Sequence, residues 1–143
     1  MTVVFTDLVG STQTLLELGP SRSQSFRREH DRLVSGCIRS TGGVFAKNTG
    51  DGFMAVFESA QDALRFSSQV QSASRTIDLR WRDIDVGIRV GISTGDVQPD
   101  QGDWFGPAVN EAARLCDLAS GGQVLASVTT AVTCTTFTLT VSA

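Results

Sequence analysis

From Thr2 to Thr6 the chain is β-branched and aromatic, bounded by Asp7 and Gly10, which predicts a strand beginning almost at the first residue. A helical stretch is expected from Ser11, broken near Gly19-Pro20 and restarted after Ser21. Phe26, Leu33, Val34, Cys37 and Ile38 then mark one apolar stripe, which stops at Gly42-Gly43. Val44–Asn48 and Phe53–Phe57 read as two short strands joined around Gly50-Asp51-Gly52, where Asp-Gly signals a hairpin. A second helix is expected from Ala60 to about Ser74. Val86, Ile88, Val90 and Ile92 alternate with Gly87, Arg89, Gly91 and Ser93, giving a strand with one face nearly bare of side chains, where another backbone can approach closely. Gln98 to Gly106 reads as a polar loop. A helix should run from about Pro107 to Ala119, packing through Val109, Ala112, Ala113 and Cys116 and leaving Asn110, Arg114 and Asp117 on a polar face. Gln123–Ala126 reads as a short strand and the Thr-rich tail from Thr135 to Val141 as another.

This order of elements is the split βαββαβ pattern, so the expected fold class is α+β, an α/β sandwich with a ferredoxin-like core and a mostly antiparallel sheet. The topology has a consequence for chemistry. In such a unit the first two strands run parallel, and the hairpin partner of the second inserts between them, antiparallel to both. The turn carrying Asp51 then lies beside the end of the first strand, which carries Asp7. Two carboxylates far apart along the chain are thereby expected to converge at one end of the sheet.

Composition narrows the functional classes. With 143 residues, 41% hydrophobic and 19% charged, the chain is long enough for one domain with a real core. The net charge of −3 supplies no broad cationic surface, so nucleic acid is not an expected partner. Cys37, Cys116 and Cys134 are odd in number and widely spaced, and are read as reduced thiols rather than a disulfide framework or zinc site. His30 is the only histidine; among Arg27, Arg28, Glu29, Asp31 and Arg32 it reads as a solvated surface residue. No apolar run long enough to cross a membrane is present, and no secretory leader is evident, which gives an expected cytoplasmic location.

Convergent carboxylates without histidine suit a hard, oxygen-seeking cation such as Mg²⁺, which prefers a few carboxylates, water and substrate phosphates. Between the acids and the first helix lies Leu8-Val9-Gly10-Ser11-Thr12, whose backbone N–H groups at a helix start suit phosphate oxygens. Taken singly, Asp7 also reads as a turn cap, Asp51-Gly52 as an ordinary hairpin turn, Lys47 as an edge-strand charge, and Asn110 with Arg114 as a solvent-facing i, i+4 pair.

Taken together, four blocks resemble the class III nucleotidyl cyclase catalytic domain, in order and in spacing: Phe5 to Thr12, Lys47 to Phe53, Arg89 to Gly95, and Asp103 to Leu115. The resemblance spans about residues 2 to 127 and is closest to the bacterial adenylate cyclase type. It implies the extended cyclase form of the ferredoxin-like fold over one catalytic domain, residues 1–143, with a C-terminal hairpin that looks truncated. It further implies that Asp7, Asp51 and the backbone carbonyl of Leu8 hold two Mg²⁺ or Mn²⁺ ions. Arg114 matches the transition-state arginine, and Asn110 the residue that orients the ribose. Lys47, Asp103 and the Trp104 backbone match the adenine-reading positions, and Val9, Gly10, Ser11 and Thr12 the phosphate loop. The implied substrate is ATP, the product 3′,5′-cyclic AMP with pyrophosphate, and the implied assembly a homodimer whose two sites are each shared between subunits. The competing readings are a different phosphoryl-transfer enzyme on a similar sheet, such as a diguanylate cyclase or polymerase-palm relative, and a catalytically silent nucleotide-binding or dimerisation module. Asp96 stands where some members place a phosphate-binding arginine, and no basic residue follows Arg114.

Overall fold

The alternating N-terminal residues form the middle of the sheet rather than its edge. In the computed structural model, which describes residues 1–80, 86–132 and 140–142, strand β1 runs Thr2–Val9. It pairs antiparallel with β3 (Phe53–Phe57) from Thr2↔Phe57 to Thr6↔Phe53, and on its other side antiparallel with β4 (Gly87–Thr94) from Thr2↔Thr94 to Val9↔Gly87. The strand therefore continues three residues past the expected Thr6, because β4 supplies partners for Asp7, Leu8 and Val9 after β3 has ended. With β2 (Val44–Asn48), β7 (Val124–Ser127) and β8 (Thr140–Ser142) the order is β2-β3-β1-β4-β7-β8, and β3 sits between β2 and β1, antiparallel to both, as the split topology predicts. Among the described strands only β4 with β7 and β7 with β8 are parallel.

Period-two alternation sends β1 side chains to opposite faces, and each face has its own core. Val4 and Leu8 pack with Phe53, Ala55 and Phe57 beneath α2 (Pro20–Ser40) and α3 (Ala60–Arg80), through Phe26, Val34, Ile38, Leu64, Phe66 and Val70. Val3, Met54 and Val56 face the other way, against Ala108 and Ala112 of α4 (Pro107–Leu118). Asp7 lies in phase with Val3, on the α4 side of the sheet. Helix α4 rests directly on β4 because position 91 has no side chain: a Cβ on Gly91 would lie 2.3 Å from both the Ala112 carbonyl oxygen and the Cys116 nitrogen. The α4 stripe is Ala108, Ala112, Leu115 and Cys116, so Ala112 and Cys116 are buried as expected and Val109 and Ala113 only half-buried, while Asn110, Arg114 and Asp117 are exposed.

Helix α2 corrects one reading outright. Its buried residues are Phe26, His30, Val34 and Ile38, one every four positions, so His30 falls in the centre of the apolar stripe and is only 2% exposed. The charged neighbours that suggested a solvated residue project elsewhere around the helix. The His30 ring lies 5.9 Å from that of Phe53, and Nδ1 is 3.0 Å from an Asp31 carboxylate oxygen. Burial lowers the His30 pKa from its usual 6.5, outweighing the opposing pull of Asp31. The unfolded chain thus takes up a proton that the folded chain resists, and stability present above pH 6.5 is lost as pH falls below it. Chemical denaturation midpoints should decline from pH 7.5 to 5.5, with a slope from this group of at most about 1.4 kcal/mol per pH unit. His30→Leu should flatten that decline; an unchanged slope would remove His30 as its source.

The remaining differences are local. The expected loop 98–106 contains a hairpin, β5 (Gln98–Asp100) with β6 (Asp103–Phe105), whose two turn residues Gln101 and Gly102 both have positive φ, 50° and 80°. Helix α3 extends beyond the expected Ser74 to Arg80, and a short helix α5 (Val128–Val132), not expected, follows β7. Of the tail strand, Thr140–Ser142 pairs with β7, while 133–139 and Cys134 fall outside the described residues. Cys37 and Cys116 are free thiols. Among the described residues no helix is long and apolar enough to cross a membrane.

Candidate active site

The contact between the β2–β3 turn and the end of β1 is made by a glycine. A Cβ on Gly52 would lie 1.7 Å from the Thr6 carbonyl oxygen and 3.0 Å from the Asp7 Cα, so only a bare backbone can seat here. The turn is closed by the Thr49 N–H donating to the Gly52 carbonyl at 2.9 Å and the Gly50 N–H donating to Asn48 Oδ1 at 2.9 Å, with Gly50 at φ 92°. The Thr6 hydroxyl oxygen accepts the Phe53 N–H at 3.1 Å, fixing the strand beyond the turn. Asp51 is therefore carried next to the stretch of β1 that contains Asp7 and Leu8 and that β3 no longer pairs.

Each of the two carboxylates is held by an arginine. Arg89 Nη2 donates to Asp7 Oδ2 at 2.7 Å from the register-matched position on β4, and Arg27 Nη1 donates to Asp51 Oδ1 at 2.7 Å from α2. Sequence reasoning assigned neither arginine a role. For Arg89 the signal was available, since antiparallel pairing of the first strand with the Gly-alternating strand aligns it with Asp7. For Arg27 none existed, because the approach of α2 to the turn is purely tertiary.

The donors here are carboxylate and carbonyl oxygens, a set that fits a hard divalent ion completing its shell with water and phosphate oxygens. Among the described residues no group of three or more His, Cys, Asp and Glu side chains forms a closed metal cage. A cleft of about 210 Å³ opens beside Asp7, lined by Phe5, Thr6, Thr49, Ala113, Cys116 and Asp117 as well. The Cys116 thiol is pushed up to about 12, first by burial and then by the Asp7 charge, and so stays protonated.

The loop between acid and helix is tighter than expected. Val9 is still in β1, paired with Gly87, and Ser11 and Thr12 already belong to α1 (Ser11–Leu18). Only Gly10, left-handed at φ 78°, joins them, and it is the N-cap of α1. Any anion near Asp7 would meet the first turn of α1 rather than an open loop.

Lys47 on β2 and Asp103 on β6 are brought together, Nζ donating to Oδ2 at 3.1 Å. Asp103 Oδ1 also accepts the Trp104 backbone N–H at 2.7 Å. That bond, and secondarily Lys47, hold the Asp103 carboxyl below its usual value. Both side chains are well exposed, 44% and 37%, so the ion pair is solvent-screened, contributes little to stability and opens readily to another partner. Asn110 and Arg114 stand one turn apart on the exposed face of α4, which is tied to β4 by the Ser93 hydroxyl donating to Glu111 Oε1 at 2.6 Å.

The sequence matches the family model described as the adenylate and guanylate cyclase catalytic domain over residues 1–142. It is 32% identical to an adenylate cyclase of Podospora anserina over 87% of this chain and 7% of that protein. It is 33% identical to an uncharacterized protein of Mycobacterium tuberculosis over 91% of this chain and 43% of that protein. Among solved structures, an adenylate/guanylate cyclase/hydrolase from Silicibacter pomeroyi is 34% identical with a TM-score of 0.68, covering 86% of this chain and 72% of that one. The chain thus spans less than half the length of these two curated relatives.

Proposed function

The chain belongs to the class III adenylate and guanylate cyclase catalytic-domain family, and from that premise we propose that it is an adenylate cyclase, converting ATP to 3′,5′-cyclic AMP and pyrophosphate. The observation that carries this reading is the seating of Gly52, the residue after Asp51, against Thr6 and Asp7 of β1. Asp7, Asp51 and the Leu8 carbonyl hold Mg²⁺ or Mn²⁺. Two such ions supply Lewis acidity at the ribose 3′-oxygen and neutralise the polyphosphate when bound. Asn110 orients the ribose so that the 3′-oxygen faces the α-phosphorus in line, a contribution from alignment. Arg114 offsets the charge that grows on the transferring phosphate as pyrophosphate departs. Val9 and Gly10 with the first turn of α1, Ser11 and Thr12, face the phosphates with backbone N–H groups.

Base choice follows from hydrogen-bond polarity. Adenine offers an acceptor at N1 and a donor at N6, which the Lys47 ammonium and the Asp103 carboxylate complement, with the Trp104 backbone beside them; guanine reverses both. A preference for ATP over GTP of roughly 10²- to 10⁴-fold is expected where these contacts are desolvated. Residues 1–143 act as one catalytic domain in a homodimer with two equivalent sites. Asp7 and Asp51 of one subunit work there with Lys47, Asp103, Asn110 and Arg114 of the other.

Incubating the purified chain with ATP or GTP and Mg²⁺ or Mn²⁺ should yield cyclic AMP and pyrophosphate from ATP. Nucleotide binding without product would select the silent module instead. Lys47→Glu combined with Asp103→Ser should move the preference toward GTP; an unchanged ratio of kcat/KM for the two nucleotides would overturn the base-reading assignment.

A further inference from the structure

We propose that Arg89 is a positioning residue that sets the orientation of the Asp7 carboxylate by tying it to the C-terminal end of α4. This rests on the reading of Asp7 as a metal ligand given above. The guanidinium makes contacts on two elements at once. Nη2 donates to Asp7 Oδ2 at 2.7 Å and lies 3.7 Å from Asp117 Oδ1, while Nη1 donates to the Asp117 backbone carbonyl at 3.0 Å. That carbonyl belongs to the last turn of α4, where the helix dipole places partial negative charge and favours a cation. Both ends of the tie are themselves fixed. Arg89 and Asp7 face each other across the β1–β4 ladder, and the Cys116 thiol points at the Arg89 carbonyl at 3.7 Å, one residue before Asp117. Gly91, two residues along the same strand, is what lets α4 come close enough for the side chain to span the gap.

The arginine is not simply satisfying its own donors, for its Nε–H is buried without an acceptor among the described residues. Its orientation is dictated by the two Nη contacts instead. A planar fork with several donors in fixed directions can hold one carboxylate oxygen and a carbonyl together, whereas a lysine ammonium is a point charge on a flexible stem. With Oδ2 engaged, the carboxylate plane is fixed and its other oxygen keeps a defined direction for a cation.

The alternative role, a counter-ion that only neutralises Asp7, predicts the opposite sign. Removing a positive charge beside a metal-binding carboxylate should tighten cation binding, and replacing it with lysine should change little. Loss of positioning should weaken binding in both variants. The test measures Mn²⁺ binding by electron paramagnetic resonance of the free ion, using the full chain with 3′-deoxy-ATP, which cannot cyclise. Melting temperatures of the wild type, Arg89→Lys and Arg89→Gln confirm folding. Both variants are expected to raise the Mn²⁺ dissociation constant about tenfold or more, as for other residues that orient metal ligands. The Mn²⁺ concentration giving half-maximal cyclisation should rise in parallel. Unchanged affinity in Arg89→Lys, or tighter binding in Arg89→Gln, would overturn the proposal. A variant that merely unfolds lowers the active fraction without moving the half-saturating metal concentration, which also counts against it. Failure of the wild type itself to bind Mn²⁺ with the nucleotide would overturn the cyclase reading first, a result distinct from equal binding by wild type and variants.

Discussion

Asp7→Ala and Arg114→Ala should each lower kcat by on the order of 10³-fold, and an equimolar mixture of the two inactive proteins should regain activity. The first substitution removes the carboxylate at the end of β1, while Asp51 lies on a separate turn and is itself engaged by Arg27. The second removes the cation proposed to offset charge on the transferring phosphate. Arg114 is exposed and outside the buried stripe of α4, so its loss should leave folding intact. In a head-to-tail dimer the mixed species contains one site with an intact Asp7 and an intact Arg114, and one site lacking both. With random exchange, half of the dimers are mixed and each has one working site, so recovery of roughly a quarter of wild-type activity is expected. Activity is followed as cyclic AMP formed per dimer, with mixed dimers verified by two affinity tags. No recovery in verified mixed dimers would rule out sites shared between subunits.

Gly52→Ala should be nearly as damaging although it removes no functional group. The added Cβ would sit 1.7 Å from the Thr6 carbonyl oxygen, and that oxygen belongs to the best-fixed strand of the sheet, so the turn must move instead. Its displacement carries Asp51 away from Asp7. Misplacement of a catalytic constellation by about 1 Å costs roughly 10²-fold in rate, which is the expected loss in kcat. The fold should survive with a penalty of about 1–3 kcal/mol, as for other overpacked positions. Gly50→Ala supplies the contrast. Among the described residues beyond its chain neighbours, no atom would lie within 4 Å of the new Cβ, and the cost comes from the left-handed φ of 92°. A small loss of stability with most of the activity retained is expected there. Equal effects of the two substitutions would show that turn conformation, not its seating on β1, controls the site.

Much of this architecture was legible in one dimension. The alternation in β1 and β4, the Asp-Gly hairpin and the period of α4 follow from side-chain direction, and the split topology then sends the Asp51 turn to the end of the strand carrying Asp7. The exposure of Asn110 and Arg114 was legible for the same reason. What failed were positions where the pattern of neighbours misleads. His30 looked solvated because five charged residues surround it in sequence, yet spacing of four from Phe26 and Val34 buries it. The end of β1 was placed at Thr6 because Asp7 disfavours a strand locally, while β4 supplies both a ladder and a counter-charge for it. The β5–β6 hairpin was hidden by a Gln-Gly turn and a proline in its first strand.

The sequence by itself determined the order of the elements and roughly where the candidate residues stand, because periodicity and topology depend on side-chain direction along each element. Tertiary structure decided what holds them. Arg27 on Asp51, Arg89 between Asp7 and the end of α4, and Lys47 on Asp103 each join elements distant along the chain. The first two depend on distances that Gly52 and Gly91 set by letting backbones touch. No local pattern encodes a distance of that kind; it exists only once the sheet and its helices have packed.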